Sequence, residues 1–205
     1  MKQEQGYTLI ELMIGLLVGL IVLSAVIYSF LVTLRSSRDV INSSLVTNEV
    51  ALGADIISGE VRRAGFSEDS SLVPPTDVVL VASGSSISTT GNCIFYVYDI
   101  DGTVGLSTEN YRAFRSSNGK LQYASAVSTA IIPAACDYLE TAPPWESITD
   151  KRISVTDLEF TVVSAAVGSS DILRVVNFEI EAAVASDTAW KASSSKTVEV
   201  RNHYE

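Results

Sequence analysis

The sequence predicts an α+β fold: one long N-terminal α-helix and an antiparallel β-sheet head against which the second half of that helix packs. Three observations predict it. No proline occurs before Pro74, so nothing interrupts a helix from Tyr7 to Ala64. Beyond Phe66 the texture changes to short alternating apolar and polar runs separated by turn residues. Each of these two parts has one apolar face, and each needs the other as a cover.

The helix reads in two halves. Between Glu11 and Arg35 there is no charge. That stretch is long enough to cross a hydrocarbon core, which takes roughly 20 residues. It exceeds the apolar core of a cleaved signal peptide, about 7–15 residues. Gly15 and Gly19, four apart, suit close approach of a second membrane helix, although glycine is also common in such helices. From Arg35 onward the pattern becomes one-sided. Ile41, Leu45, Leu52 and Ile56 form one stripe, with Val46, Val50, Ile57 and Val61 beside it. A single helix over 7–64 is about 87 Å long. Its apolar half is expected to project, and its amphipathic half to pack. "RRAGF" (Arg62–Phe66) reads as the helix end, with Gly65 suited to a left-handed position.

The head follows. Val78–Val81 reads as a short strand, and "CIFYVYDIDG" as a strand ending in an Asp-Gly turn. "NYRAFRSSNGKLQYA" is a hairpin about Asn118-Gly119. A proline-containing connection leads to "RISVTDLEFTVV", whose alternation slips near Asp157 and predicts a bulge. In "VVNFEIEAAV", Val176, Phe178, Ile180 and Ala182 share one face, while Asn177, Glu179 and Glu181 form a solvated one. "KTVEVRN" is a final strand. The serine-rich stretches 83–91 and 192–196 read as loops.

Composition excludes several functions. The chain has 205 residues and a net charge of −10, which opposes binding to a phosphate backbone, so no nucleic-acid partner is expected. The lone histidine, His203, cannot complete a catalytic triad in the core, and no enzyme constellation is present. No cofactor and no metal are expected. Asp99-Ile100-Asp101-Gly102 lacks the later ligands of a calcium loop and reads as a turn. The two cysteines, Cys93 and Cys136, are too few for zinc. If the head is exported, a disulfide is the economical reading; it closes a loop of about 44 residues, for about 4 kcal/mol. Two thiols in a cytosolic domain are the alternative. Trp145 and Trp190 read as core residues, with anchoring of a partner as the other role.

The stretch Gly6-Tyr7-Thr8-Leu9-Ile10-Glu11-Leu12-Met13 resembles the prepilin peptidase motif of the type IV prepilin and pseudopilin superfamily. Tyr7 stands where phenylalanine is usual. The resemblance implies cleavage between Gly6 and Tyr7 and N-methylation of Tyr7 by the same peptidase. "RRAGF", the "CIFYVYDIDG…YRAFRSSNGKLQY" region and "VEVRN" are similar to PilW-type minor pilins and to J-type pseudopilins. A pilin-like architecture follows, with 1–6 as leader, 7–34 as membrane and filament-core helix, 35–66 as its amphipathic half and 67–205 as the β-rich head. The implied role is a minor pilin acting in pilus initiation and at the tip. Implied partners are the major pilin, other minor pilins, a candidate tip adhesin and the processing peptidase. The prepilin is expected in the inner membrane with its head in the periplasm. Two other readings stay open: a J-type minor pseudopilin of type II secretion, and a bitopic membrane protein with a periplasmic binding domain.

Glu11 is the informative residue. A carboxylate near a bilayer centre costs about 2.5–3.5 kcal/mol on insertion scales and needs a partner. From Glu11 to Arg35 the helix offers none. Cleavage after Gly6 creates an amine on Tyr7. The resemblance implies that Glu11 pairs with the amine of a neighbouring subunit, fixing register during docking. The bare alternative is an interfacial carboxylate favoured by the helix dipole.

Overall fold

The computed structural model describes residues 8–66, 79–83, 86–99, 110–125, 145–167 and 171–200. The leader, the Asp101-Gly102 turn, most of the proline-containing connection, Cys136 and His203 lie outside them. The chain divides into two compact units, residues 1–42 and 43–205. Helix α1, Leu9–Val61, runs through both.

In the first unit every described residue from Thr8 to Ile41 is exposed. In the second, α1 buries Val46, Val50, Gly53, Ala54, Ile57, Ser58 and Val61, which recur at spacings of three and four. The outcome corrects the expected stripe. Val46, Val50, Ile57 and Val61 are the buried row, Leu45 and Ile56 flank it, and Leu52 stays 54% exposed. Sequence periodicity found the apolar sector, but only packing decides its centre.

The head contains ten strands among the described residues: β1 (Val79–Ser83), β2 (Ser86–Ser88), β3 (Thr90–Gly91), β4 (Cys93–Val97), β5 (Tyr111–Ser117), β6 (Lys120–Ser125), β7 (Glu146–Ser147), β8 (Ile153–Val167), β9 (Asp171–Val184) and β10 (Asp187–Val200). They form two sheets, ordered β2-β1-β4-β5-β6-β7 and β10-β9-β8-β3, and every pairing is antiparallel. The main core draws on α1 and both sheets, including Ile94, Tyr96, Phe114 and Leu121 from the first and Phe160, Phe178 and Ile180 from the second. A smaller cluster (Ala82, Cys93, Phe95, Ala113, Ala124) lies on the other face of the first sheet. A Cβ built at Gly53 would stand 3.1 Å from Leu121 Cδ2 and 3.6 Å from Ile180 Cδ1, so α1 touches both sheets at one point.

Local signals decide the registers. Asn118 (φ 51°) and Gly119 (φ 69°) make the β5–β6 turn, the left-handed pair that Asn-Gly favours. The register of β8 on β9 shifts between Val155 and Asp157, with Thr156 as the extra residue. That bulge lets Ile153 and Val155 before it, and Leu158 and Phe160 after it, all face the core. Both serine-rich stretches read as loops contain strand. Residues 192–196 belong to β10 and are paired with β9 throughout, while β2 and β3 lie within 83–91. Edge pairing supplied the hydrogen bonds that serine propensity does not.

Side chains fasten α1 to the head. Glu49 Oε2 accepts from the Asp150 N–H at 3.2 Å, and Asp55 pairs with Lys196 of β10. Lys120 Nζ donates to the carbonyls of Asp150 (2.8 Å) and Ile153 (2.5 Å), tying the hairpin to the turn before β8.

Gly91 sits where β3 passes β1, and a Cβ there would fall 2.0 Å from the Ala82 carbonyl oxygen. Gly91→Ala should therefore destabilise the head by about 1–3 kcal/mol. Gly59→Ala, whose Cβ meets nothing within 4 Å, should stabilise by about 0.5–1 kcal/mol. Urea titration of the full chain in detergent checks the opposite signs. The Arg152 side chain and N–H hold the Asp150 carboxyl at about 2, below its ordinary 3.8. Its contribution is complete above the ordinary value and is lost as pH falls through about 2. Asp150→Asn should flatten that part of the acid profile, read from urea midpoints between about pH 5 and pH 2.

Candidate assembly site

The site is the start of α1. Thr8 is the N-cap and Glu11 the third helical residue. The Thr8 N–H and hydroxyl both donate to Glu11 Oε2, at 3.0 and 2.9 Å, and the Glu11 N–H approaches Thr8 Oγ1 at 3.4 Å. This is a capping box, in which cap and third residue satisfy each other's donors. It corrects the reading that Glu11 lacks a partner within its own helix. Thr8 was the missed residue, and the signal was in plain view: Thr8-x-x-Glu11 is the capping-box pattern. The cap uses one carboxylate oxygen, and Oε1 has no hydrogen-bond partner among the described residues. Gly6 and Tyr7, the expected cleavage and methylation residues, lie outside the described residues.

Behind the cap runs an apolar shaft. An 18-residue window of α1 reaches a mean hydropathy of 2.7, and none of it is buried. Contiguous exposed apolar surface on this scale marks a membrane or protein contact. Three of the hydroxyls along it are satisfied internally. Ser24, Thr33 and Ser37 donate to the carbonyls of Leu20, Ser29 and Thr33 at 2.7, 3.0 and 2.9 Å. A Cβ at Gly15 or Gly19 would meet nothing within 4 Å, so neither glycine is required by contacts inside the chain.

The other end of α1 carries a second polar arrangement. Glu60 Oε2 accepts from the hydroxyls of Tyr96 (3.3 Å) and Tyr98 (3.1 Å), and its Oε1 pairs with Arg63 at 3.1 Å. The Arg112 guanidinium lies 4.2 Å from the centre of the Tyr98 ring and donates to Tyr123 Oη at 3.0 Å. Burial, then the charge of Glu60, pushes the Tyr96 phenol up; burial does the same for Tyr98. Gly65 (φ 79°) turns the chain, as expected, and its N–H donates to Val97 O at 2.8 Å. Ala64 is fully buried. "RRAGF" therefore fixes the helix end to β4. It was legible as a helix stop, but its tyrosine partners sit more than 30 residues away in no local pattern.

The remaining candidates divide. Cys93 is fully buried in the smaller core cluster, and Cys136 lies outside the described residues. Asp99 is buried and accepts from Asn110 Nδ2 at 3.3 Å. Trp145 packs on the smaller cluster with the Arg115 guanidinium 4.1 Å from its ring centre, and Trp190 is half-buried beside the main core. Among the described residues no group of three or more His, Cys, Asp or Glu could hold a metal.

Two family models match the chain. One, described as prepilin peptidase-dependent protein B, covers residues 39–200; the other, the prokaryotic N-terminal methylation motif, covers residues 1–27. No curated protein and no solved structure matches.

Removing the cap should loosen the first turn without unfolding the shaft. Thr8→Val should speed amide exchange of Ile10 and Glu11 about fivefold, with exchange beyond Gly19 unchanged. Hydrogen exchange by NMR in micelles checks it.

Proposed function

The chain belongs to the family of prepilin peptidase-dependent protein B, and from that premise we propose that it is a minor pilin of a type IV pilus, most like the PilW type. Its coarse role, a structural subunit of type IV pilin or pseudopilin kind anchored by an apolar N-terminal helix, is that of the family. The leader 1–6 is removed between Gly6 and Tyr7, and Tyr7 is N-methylated. The subunit waits in the inner membrane through residues 7–34, with the amphipathic half 35–66 and the head 67–205 in the periplasm. It then joins other minor pilins in the complex that starts the filament and stays near its tip.

One observation carries this reading: a half-engaged carboxylate in register behind Gly6, at the head of a shaft with no buried residue. Thr8 keeps its N–H after cleavage, so the cap does not depend on the leader. Oε1 is then the oxygen that accepts the Tyr7 amine of an adjoining subunit. Thr8 holds the carboxylate ready, and the incoming amine completes its hydrogen bonding as the shafts bundle. An ion pair of this kind specifies register more than it stabilises. The J-type pseudopilin reading shares all of this chemistry and differs in the machine the subunit serves. A Cys93–Cys136 disulfide completes the proposal, supported by the burial of Cys93 and in keeping with the periplasmic placement proposed for the head.

Three measurements test the assembly reading, and two more test the disulfide. Mass spectrometry of the mature protein should give a chain beginning at N-methyl-Tyr7; a retained Met1 sinks the pilin reading. Glu11→Gln should leave membrane insertion intact and reduce recovery in sheared filaments at least about tenfold. A deletion strain should lose surface pili and keep normal secretion, whereas the opposite pattern selects the pseudopilin. For the cysteines, thiol alkylation without reductant should leave both unlabelled, and reduction should lower stability by about 4 kcal/mol.

A further inference from the structure

Two sheets give four edges. Three of them carry strands of only two or three residues, β2, β3 and β7. The fourth is β10, 14 residues long, which among the described residues pairs with β9 alone. Long open edges invite strand pairing, and proteins commonly guard them with proline, bulges or inward charges. β10 has no proline, and from Lys191 to Val200 it follows β9 without a register shift. Its one inward charge there, Lys196, is already paired with Asp55 of α1.

Both faces beside this edge are unfinished. On the core side Ala192 and Ser194 are half-buried, although their β9 partners Ala182 and Ile180 are buried. The core layer stops one strand short of full cover. On the outer side, like charges stand directly opposite each other, Asp157 against Glu181 and Glu159 against Glu179. Such pairs destabilise a sheet. Lys191 of β10 reaches Glu181 at 3.4 Å, which shows what this face accepts: a cation arriving from the edge side. Directly between the edge and the carboxylates stand two short side chains, Ser193 and Ser195, while Glu181 Oε1 already accepts from Lys191 and Thr156 and Glu179 has no such cation among the described residues.

We propose that β10 is a docking edge that accepts an extended segment of another protein as an additional strand. The segment alternates small apolar residues, over Ala192 and Ser194, with lysine or arginine, facing Glu179 and Glu181. Main-chain hydrogen bonds supply the attachment, and the acidic face selects the partner. This interaction is separate from shaft bundling and does not rest on the cleavage or docking chemistry of Glu11.

The test uses the full chain in detergent micelles and a labelled 12-residue probe peptide alternating valine and lysine. Fluorescence anisotropy should show saturable binding. The same peptide N-methylated on alternate backbone nitrogens, in either register, should bind at least about tenfold more weakly in one of them. A valine–glutamate peptide should also bind at least about tenfold more weakly, and Glu159→Gln/Glu179→Gln should weaken the lysine peptide and reduce its salt dependence. Equal binding of both N-methylated peptides would reduce the effect to charge adsorption and overturn the proposal. So would absence of binding by the lysine peptide, or sedimentation showing that β10 is occupied by a second copy of the chain.

Discussion

Gly53 is where the head is held together. Its missing side chain lets α1 approach Leu121 of β6 and Ile180 of β9 at the same place. These strands belong to different sheets, so the helix face is their shared wall. Val46, Val50, Ala54, Ile57 and Val61 extend that wall along the helix. Once it is in place, each sheet has a buried face, and the polar fastenings at Glu49, Asp55 and Glu60 add orientation rather than bulk.

The same helix satisfies two kinds of surroundings by changing composition along its length. Up to Ile41 its side chains are exposed, and uncharged over the long stretch between Glu11 and Arg35; from Val46 onward they are split between a buried row and a polar one. Both ends are closed by specific chemistry, a capping box at Thr8 and Glu11 and a left-handed glycine at Gly65. The first end is fixed within the helix itself, by Thr8 and Glu11, and the second by the head, through the Gly65–Val97 and Glu60–tyrosine contacts.

Much of this was legible beforehand, for identifiable reasons. Turn chemistry is local, so Asn118-Gly119 and Gly65 were readable. The bulge at Thr156 was readable because a slip of one residue inverts the apolar phase, and Leu158 follows Val155 out of step. The prepilin motif was readable because its parts stand in fixed register. Three things were not legible. Leu52 belongs to the apolar sector by periodicity, yet it faces away, since only the contact surface decides which flank is covered. Residues 192–196 look like a loop, yet β9 imposes a strand on them from outside. The Glu60–tyrosine contacts join residues 36 and 38 positions apart, beyond any local pattern. The Thr8–Glu11 pair is of another kind: its spacing is local and its pattern legible, since a hydroxyl stands three residues before the carboxylate.

The hydroxyls of Ser24, Thr33 and Ser37 have a consequence of their own. Each is tied to a carbonyl of its own helix, so these three hydroxyls ask nothing of their surroundings. Moving such a shaft from lipid to a bundle of like helices makes and breaks no hydrogen bond at these positions; one set of methyl groups replaces another around it. At these three positions an apolar medium and a wall of packed helices are therefore interchangeable as far as hydrogen bonding goes.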